Sequence, residues 1–278
     1  MKIKSQTLIK ISQDLIKNEN GFYSIFKKFI TIFRDRIKRS ILTVGLYDVI
    51  QTFMKFILNY NTLQKFLNNF NDYWTWYYLK FKSSRSFRFN NKKYNYFYHK
   101  YNITWNNERA IELPIIWKIV KKYENKNILE VGNVLSHFFD FQHDIVDKYE
   151  IADGVINQDI VDYNPLNKYD LIVTISTLEH VGWDETPREP LKILRAIENL
   201  KSLINENGKI IITLPKGHSP MLDNLLKENR IKFSEQYFFK RISRSNKWKQ
   251  VNWNKISKAV YGYPIRYSAN GIIVGFIY

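Results

Sequence analysis

The stretch from Asn127 to Pro215 constrains the fold more than any other part of the chain. Short continuous apolar runs recur there, and each ends in an acid, a glycine or a hydroxyl. Ile128-Leu129-Glu130-Val131 runs into Gly132, Asp144-Ile145-Val146 into Asp147, and Val155-Ile156 into Asn157-Gln158-Asp159-Ile160. Leu171-Ile172-Val173-Thr174-Ile175 ends in Ser176-Thr177-Leu178-Glu179-His180, and Ile210-Ile211-Ile212-Thr213-Leu214 in Pro215. Runs this short and this uniformly apolar predict strands buried on both faces, as in a parallel sheet. Leu191, Leu194, Ala196, Ile197, Leu200, Leu203 and Ile204 carry a helical spacing, and Asn207-Gly208 is expected to stop that helix. A further helix is expected over Glu108–Lys122. The fold class is therefore α/β, a mostly parallel sheet between helices.

In an open parallel sheet, ligands bind at the carboxyl ends of the strands. The residues at those ends are Glu130, Gly132, Asp147, Asp159, Ser176, Thr177, Glu179 and His180. A glycine after the first strand lets the backbone approach a ligand closely. A carboxylate at the tip of the second strand has the lone pairs to accept from both hydroxyls of a ribose. Any one of these acids also fits a turn or a helix cap; their order along successive strands favours a common site. The G-x-G-x-x-G signature of nicotinamide dinucleotide binding is absent.

These same segments resemble class I S-adenosylmethionine (SAM)-dependent methyltransferases. ILEVG is similar to the family's first motif, Asp147 to the acid ending its second strand, and Asp159-Ile160 to the motif that meets the adenine. YDLIVTISTLEHVG resembles the fourth-strand motif and NGKIIITLP the fifth, and Phe238–Val251 with Gly271–Tyr278 resembles the antiparallel pair that closes the sheet. The resemblance covers about residues 106 to 225. It implies a Rossmann-like sheet with its last strand antiparallel and SAM as cofactor. Contacts to that cofactor fall to Glu130, Gly132, Asp147, Asp159, Ile160, Ser176, Thr177 and Arg109, with Tyr101 and Glu108 bordering its methionine end. Two features depart from the family pattern. Val134 and Ser136 stand where further glycines are usual, and the interval from Asp147 to Asp159 is short for a parallel crossover.

Methyl transfer to a hydroxyl or ammonium needs a proton acceptor, for which His180 comes first and Glu179 second. His180 as a pocket-shaping hydrogen-bonder, and Arg109 as a partner of Glu108 or Glu112, are equally compatible with the sequence. The acceptor site is expected from the segment after the fifth strand, with Lys216, Gly217, His218, Asp223, Arg241, Arg244, Asn246 and Trp248. Arg244 and Trp248 read either as a sugar- or phosphate-binding surface or as an ordinary exposed strand edge.

Charge and composition narrow the function classes. Residues 1–105 hold 19 basic and 5 acidic side chains, residues 106–229 hold 14 and 20, and residues 230–258 hold 9 and 1. With no cysteine in the chain, disulfides, cysteine-ligated metals, iron–sulfur radical chemistry and thiolate attack are all excluded. The division expected is a basic, mainly helical N-terminal region, 1–105, and a methyltransferase domain, 106–278. The helical pattern is clearest over residues 1 to about 85, where its basic face suits either packing on its own domain or peripheral membrane contact. Neither a secretory signal nor a membrane-spanning segment is expected, which points to the cytoplasm. The acceptor is expected to be a small molecule or saccharide. The alternatives are an RNA methyltransferase using the basic flanks, or a non-catalytic SAM-binding or membrane-surface protein. The fourth-strand tip carries STLEH and not the N/D-P-P-Y/F tetrapeptide of amino-directed base methylation.

Overall fold

The computed structural model describes residues 60–262 and 268–278. The chain divides after Leu63, and the unit described below is Gln64–Tyr278. The helical pattern expected over residues 1–59 lies outside the described residues.

Helix α1, Tyr60–Phe81, sets Phe70, Trp74 and Tyr78 one helical turn apart. Tyr78 stacks on Trp105 at 5.4 Å, and the Trp105 indole N–H donates to Thr75 Oγ1 at 3.2 Å. A hairpin follows, β1 (Ser86–Phe89) and β2 (Lys92–Asn95), turned by Asn90 and Asn91 with φ of 45° and 61°. Two positive-φ residues are the geometry of a two-residue hairpin turn, and asparagine tolerates it. Phe87 and Phe89 alternate inward from the hairpin onto Phe239.

Among the described residues the large sheet has eight strands. They are β3 (Ile128–Val131), β4 (Asp144–Val146), β5 (Val155–Ile156), β6 (Tyr169–Ile175), β7 (Ile204–Pro215), β8 (Glu235–Arg241), β9 (Trp248–Val251) and β10 (Gly271–Ile277). Their order is β5-β4-β3-β6-β7-β10-β8-β9, with β3 to β7 parallel and β10 antiparallel to both β7 and β8. This is the Rossmann-like sheet expected from the sequence, with the reversed last strand inserted between β7 and β8. The order reverses direction at β3, between β4 and β6, which is where such sheets bind ligands.

Both faces are covered. Helix α2 (Arg109–Val120), α1 and the hairpin cover one face, over Leu171, Val173, Ile211, Phe239 and Val274. Helices α3 (Lys192–Leu203) and α4 (Pro220–Lys227) cover the other, over Leu129, Ile172, Ile210, Ile212 and Ile273. Alternate residues of one strand thus enter opposite cores. The aromatic segment before Trp105 belongs to the first of these cores, so the compact unit begins well before residue 106.

One local expectation is corrected. Helix α3 ends at Leu203, and Asn207-Gly208 lies in the irregular start of β7, where the register jumps from Tyr169↔Ile204 to Leu171↔Lys209. Gly208 fits there because a Cβ would come within 2.9 Å of the Tyr169 carbonyl oxygen. The interval after Asp147 holds a turn and the two-residue β5, with no helix, so that crossover is reduced to its minimum. Between β3 and β4 the only helical piece is a 3-10 turn, Leu135–His137. A short helix α5, Trp253–Ile256, precedes β10. No helix among the described residues is long and apolar enough to cross a membrane.

Candidate active site at the strand tips

The loop leaving β3 is built around a buried carboxylate. Glu130 accepts from the backbone N–H groups of Val134 at 3.0 Å and Leu135 at 2.8 Å, and its other oxygen meets His143 Nε2 at 2.8 Å. With both oxygens committed, Glu130 lines neither cavity described below and acts on a ligand only through the loop it holds. Its hydrogen bonds do the shaping here, in a loop where Val134 and Ser136 replace glycines. Gly132 has φ of 84°, and a Cβ there would lie 2.3 Å from Thr177 Oγ1. The Gly132 backbone therefore lies directly against the Thr177 side chain at the β6 tip.

A narrow cavity of about 80 Å³ opens over these tips, lined by Gly132, Asp147, Lys148, Tyr149, Asp159, Ile160, Thr177 and His180 among others. Asp147 Oδ1 accepts from the Tyr149 and Glu150 amides at 2.8 Å, and Oδ2 receives only Asn133 N–H at 3.3 Å. Oδ2 thus keeps lone pairs for a ligand. Asp159 Oδ2 is shared by Lys148 at 2.8 Å and Lys192 at 2.5 Å, while Oδ1 accepts from Val161 N–H at 3.2 Å. Burial works to raise the Asp159 pKa, but the hydrogen bonds from the two lysines prevail and hold it at about 2. Glu185 takes both ammonium groups as well, at 2.9 and 2.6 Å. What remains of Asp159 for a new donor is Oδ1.

The second cavity, about 240 Å³, is polar and adjoins the first at His180. Asn102, Asn107, Glu108, Arg109, Ser176, Glu179, His180, Pro215 and Tyr261 form its wall. Arg109 and Ser176, expected at the cofactor, line this second cavity. Arg109 pairs with Glu112 at 2.6 Å, one of the partners the sequence allowed. The Ser176 hydroxyl donates to the other Glu112 oxygen at 2.6 Å. Ser176 sits at φ of 44°, held by its N–H to Thr213. A non-glycine residue in that region is strained and tends to mark functional positions. Glu108 accepts from the Ala269 amide at 2.9 Å, and burial together with Glu112 raises its pKa.

Glu179 is 2% exposed, and its Oε2 has no hydrogen-bond partner. Burial pushes its pKa well above the usual carboxylate range. Its Oε1 lies 3.6 Å from His180 Nε2. On the far side of the ring, His180 Nδ1 meets Asp184 Oδ2 at 2.5 Å, and both of these side chains reach solvent. His218 packs edge-on against His180 at 4.5 Å, and burial, then His180, lowers its pKa. Burial, then Glu108 and Glu179, pushes the Tyr261 phenol up to about 12, so it remains a donor.

His180, Asp184 and His218 bring ligand-type atoms within 4.8 Å of one another. Two ligands at about 2.1 Å from one tetrahedral ion stand roughly 3.4 Å apart. The His180–Asp184 contact is shorter than that and is a direct hydrogen bond.

The segment after β7 is corrected in part. Trp248 and Asn246 are buried, joined by Trp248 Nε1 to Asn246 Oδ1 at 2.7 Å, so Trp248 forms neither a sugar surface nor an exposed edge. Arg241 is buried too and clamps the cavity wall through the Asn106 carbonyl at 3.0 Å and Ser268 Oγ at 3.3 Å. Lys216 is paired with Asp223 at 2.7 Å, and His218 is the member of that segment that reaches the site through His180. Tyr101 lines neither cavity and stacks on His137 at 4.4 Å. Sequence reasoning missed Tyr261, Asn102, Asn107 and the two lysines on Asp159. Asp184, four residues after His180, carried a readable signal.

No family model matches the chain, and no curated protein is similar to it in sequence. Several solved structures are similar to it in fold. NodS, an N-methyltransferase from Bradyrhizobium japonicum WM9 crystallised with S-adenosyl-L-homocysteine (SAH), matches 62% of this chain and 87% of its own at 10% identity and a TM-score of 0.38. The sugar N-methyltransferase KedS8 from Streptoalloteichus sp ATCC 53650 matches 61% and 88% at 10% identity, with a TM-score of 0.33. TehB from Haemophilus influenzae matches 64% and 65% at 14% identity, with a TM-score of 0.36. At such identities and TM-scores these likenesses decide nothing about this chain's chemistry.

Proposed function

We propose that this chain is a SAM-dependent methyltransferase acting on a small polar acceptor. The observation that carries the reading is the convergence of Gly132, Asp147, Asp159, Ile160 and Thr177 on one cavity at the sheet's reversal point, joined at His180 to a separate polar cavity. The chemistry of the donor set fits the cofactor. Asp147 Oδ2 is free to accept from ribose hydroxyls, Ile160 offers an apolar wall for an adenine ring, and Asp159 Oδ1 is open to its amino group. Gly132 lets the chain pass close to the ligand. When bound, SAM supplies an activated methyl on a sulfonium leaving group, so holding the acceptor in line provides most of the catalysis. Ligand sites span about 300–1,000 Å³, and only the two cavities together reach that size.

On the acceptor side, Glu179 and His180 are the proton-handling groups. Arg109, Glu112 and Ser176 form a buried hydrogen-bonded brace that fixes the β6 tip beneath them. A small acceptor suits a cavity of about 240 Å³ better than a polymer does.

Isothermal titration with SAH tests the reading. The wild-type chain is expected to bind, and Asp147→Ala to weaken binding by about 1–3 kcal/mol, the loss of a carboxylate's hydrogen bonds to hydroxyls. Equal affinity in the variant removes Asp147 from the site, and no wild-type binding removes the cofactor assignment. Tritiated methyl from SAM is expected in the small-molecule fraction of a cell extract. Incorporation into purified RNA, abolished by Asp147→Ala, would overturn the small acceptor.

A further inference from the structure

Among the described residues two carboxyl groups and one cation line the polar cavity, and that cation is already used. Glu108 and Glu179 both face it, while Arg109 is committed to Glu112 at 2.6 Å. The next cation behind the wall, Arg241, gives its donors to the Asn106 carbonyl and Ser268 Oγ. Glu108 is satisfied on one oxygen by the Ala269 amide. Glu179 is different, being 2% exposed, lining the cavity and holding an Oε2 with no donor. A buried acceptor left unpaired costs about 1–3 kcal/mol, so such an atom persists where something else is selected to fill it. What fills it must bring N–H or O–H donors.

A path leads from the other oxygen of this carboxyl group to bulk water. Glu179 Oε1 stands 3.6 Å from His180 Nε2, and His180 Nδ1 stands 2.5 Å from Asp184 Oδ2. Glu179 is sealed, whereas the His180 and Asp184 side chains are each 47% exposed. A proton delivered to Glu179 can pass to the imidazole and leave at the surface. His218, beside His180, and Tyr261, across the cavity, lie off this line as neutral groups.

We propose that the acceptor is a primary or secondary amine, bound as its ammonium to Glu179 and deprotonated by it. This deepens the methyltransferase reading and rests on the polar cavity being the acceptor site. An ammonium supplies the missing donor and the missing positive charge together, whereas a hydroxyl supplies only the donor. The ammonium gives one proton to the Glu179 carboxylate and keeps the N–H bonding pair as a nitrogen lone pair. That pair forms the new N–C bond as the methyl's C–S bond breaks, with the C–S electrons remaining on the former sulfonium sulfur. Nitrogen ends as a methylated ammonium, and the proton on Glu179 leaves through His180 and Asp184.

Matched amine and alcohol pairs test the class without needing the natural substrate. Glucosamine with glucose, ethanolamine with ethylene glycol, and tyramine with 4-(2-hydroxyethyl)phenol are titrated calorimetrically into wild-type chain saturated with SAH, in two buffers of different ionisation enthalpy. At least one amine is expected to outbind its alcohol by about tenfold, the margin of a charge-assisted over a neutral hydrogen bond. Its binding is expected to release a proton, and Glu179→Gln to abolish both the preference and the release while leaving SAH affinity unchanged. A panel in which no amine outbinds its alcohol overturns the proposal, as does a preference that survives Glu179→Gln. Those outcomes leave the methyltransferase reading intact as long as SAH binds; failure of SAH to bind wild type strikes the reading beneath.

Discussion

Gly132→Ala separates the close approach at the β3 tip from ordinary loop packing. At φ of 84° an alanine pays the left-handed penalty of about 1–2 kcal/mol. Its Cβ would also meet Thr177 Oγ1 at 2.3 Å, Cγ2 at 2.7 Å and Cβ at 3.0 Å. Overpacking of that kind costs about 1–3 kcal/mol, so the single variant should lose about 2–5 kcal/mol in total. Thr177→Ala removes the two nearest atoms, leaving only the 3.0 Å approach and the backbone strain. Urea unfolding of the wild type, both single variants and the double variant forms a closed cycle, with a favourable coupling of about 1–3 kcal/mol expected. The double variant still carries the backbone penalty and stays below Thr177→Ala alone. SAH affinity in the same four proteins should fall at least about tenfold in Gly132→Ala, since the tip that moves is the one that meets the ligand. A Gly132→Ala chain within about 0.5 kcal/mol of wild type, or no coupling to Thr177, would refute the close approach itself.

Two further outcomes follow from paired and buried charges. The folded Asp159 holds its proton less readily than the ordinary value of 3.8, at about 2, so its pairing stabilises the fold above about pH 4 and that contribution is lost as pH falls from 4 towards 2. Acid titration of the urea midpoint should show this fall, and Lys192→Met should flatten it; an unchanged slope would mean that the lysines do not hold the carboxylate. Arg241→Met strips donors from the Asn106 carbonyl and Ser268 Oγ, and should cost about 2–4 kcal/mol by urea unfolding while SAH affinity stays within about twofold. A large loss of SAH affinity would instead place Arg241 in the cofactor site.

The sheet was legible because its signal is local. Period, run length and the residue closing each run all lie within a few positions of one another, and they placed Gly132, Asp147, Asp159 and the Ser176–His180 tip at the ends of β3 to β6. The short β4–β5 crossover was legible for the same reason. The end of α3 was misread because Asn207-Gly208 has the composition of a helix stop, whereas pairing with β6 had already drawn the chain into a strand at Ile204. Local propensity is a weak prior against a sheet partner.

What the tertiary structure decided is the state of each polar group. Glu130, Asp147, Asp159 and Glu179 look alike as carboxylates near strand ends. One is consumed by its own loop, one keeps lone pairs to spare on one oxygen, one is shared by two lysines, and one is buried with an oxygen that has no partner. Those fates depend on residues far away in the chain: Lys192 lies 33 positions from Asp159, and Glu112 lies 64 from the Ser176 it braces. Trp248 shows the same dependence, since a tryptophan between lysines in sequence becomes core once its backbone N–H donates to the hydroxyl oxygen of Tyr96, 152 positions away. Charge, burial and hydrogen bonding are properties of neighbours in space, so the sequence named the carboxylates and only the fold assigned their chemistry.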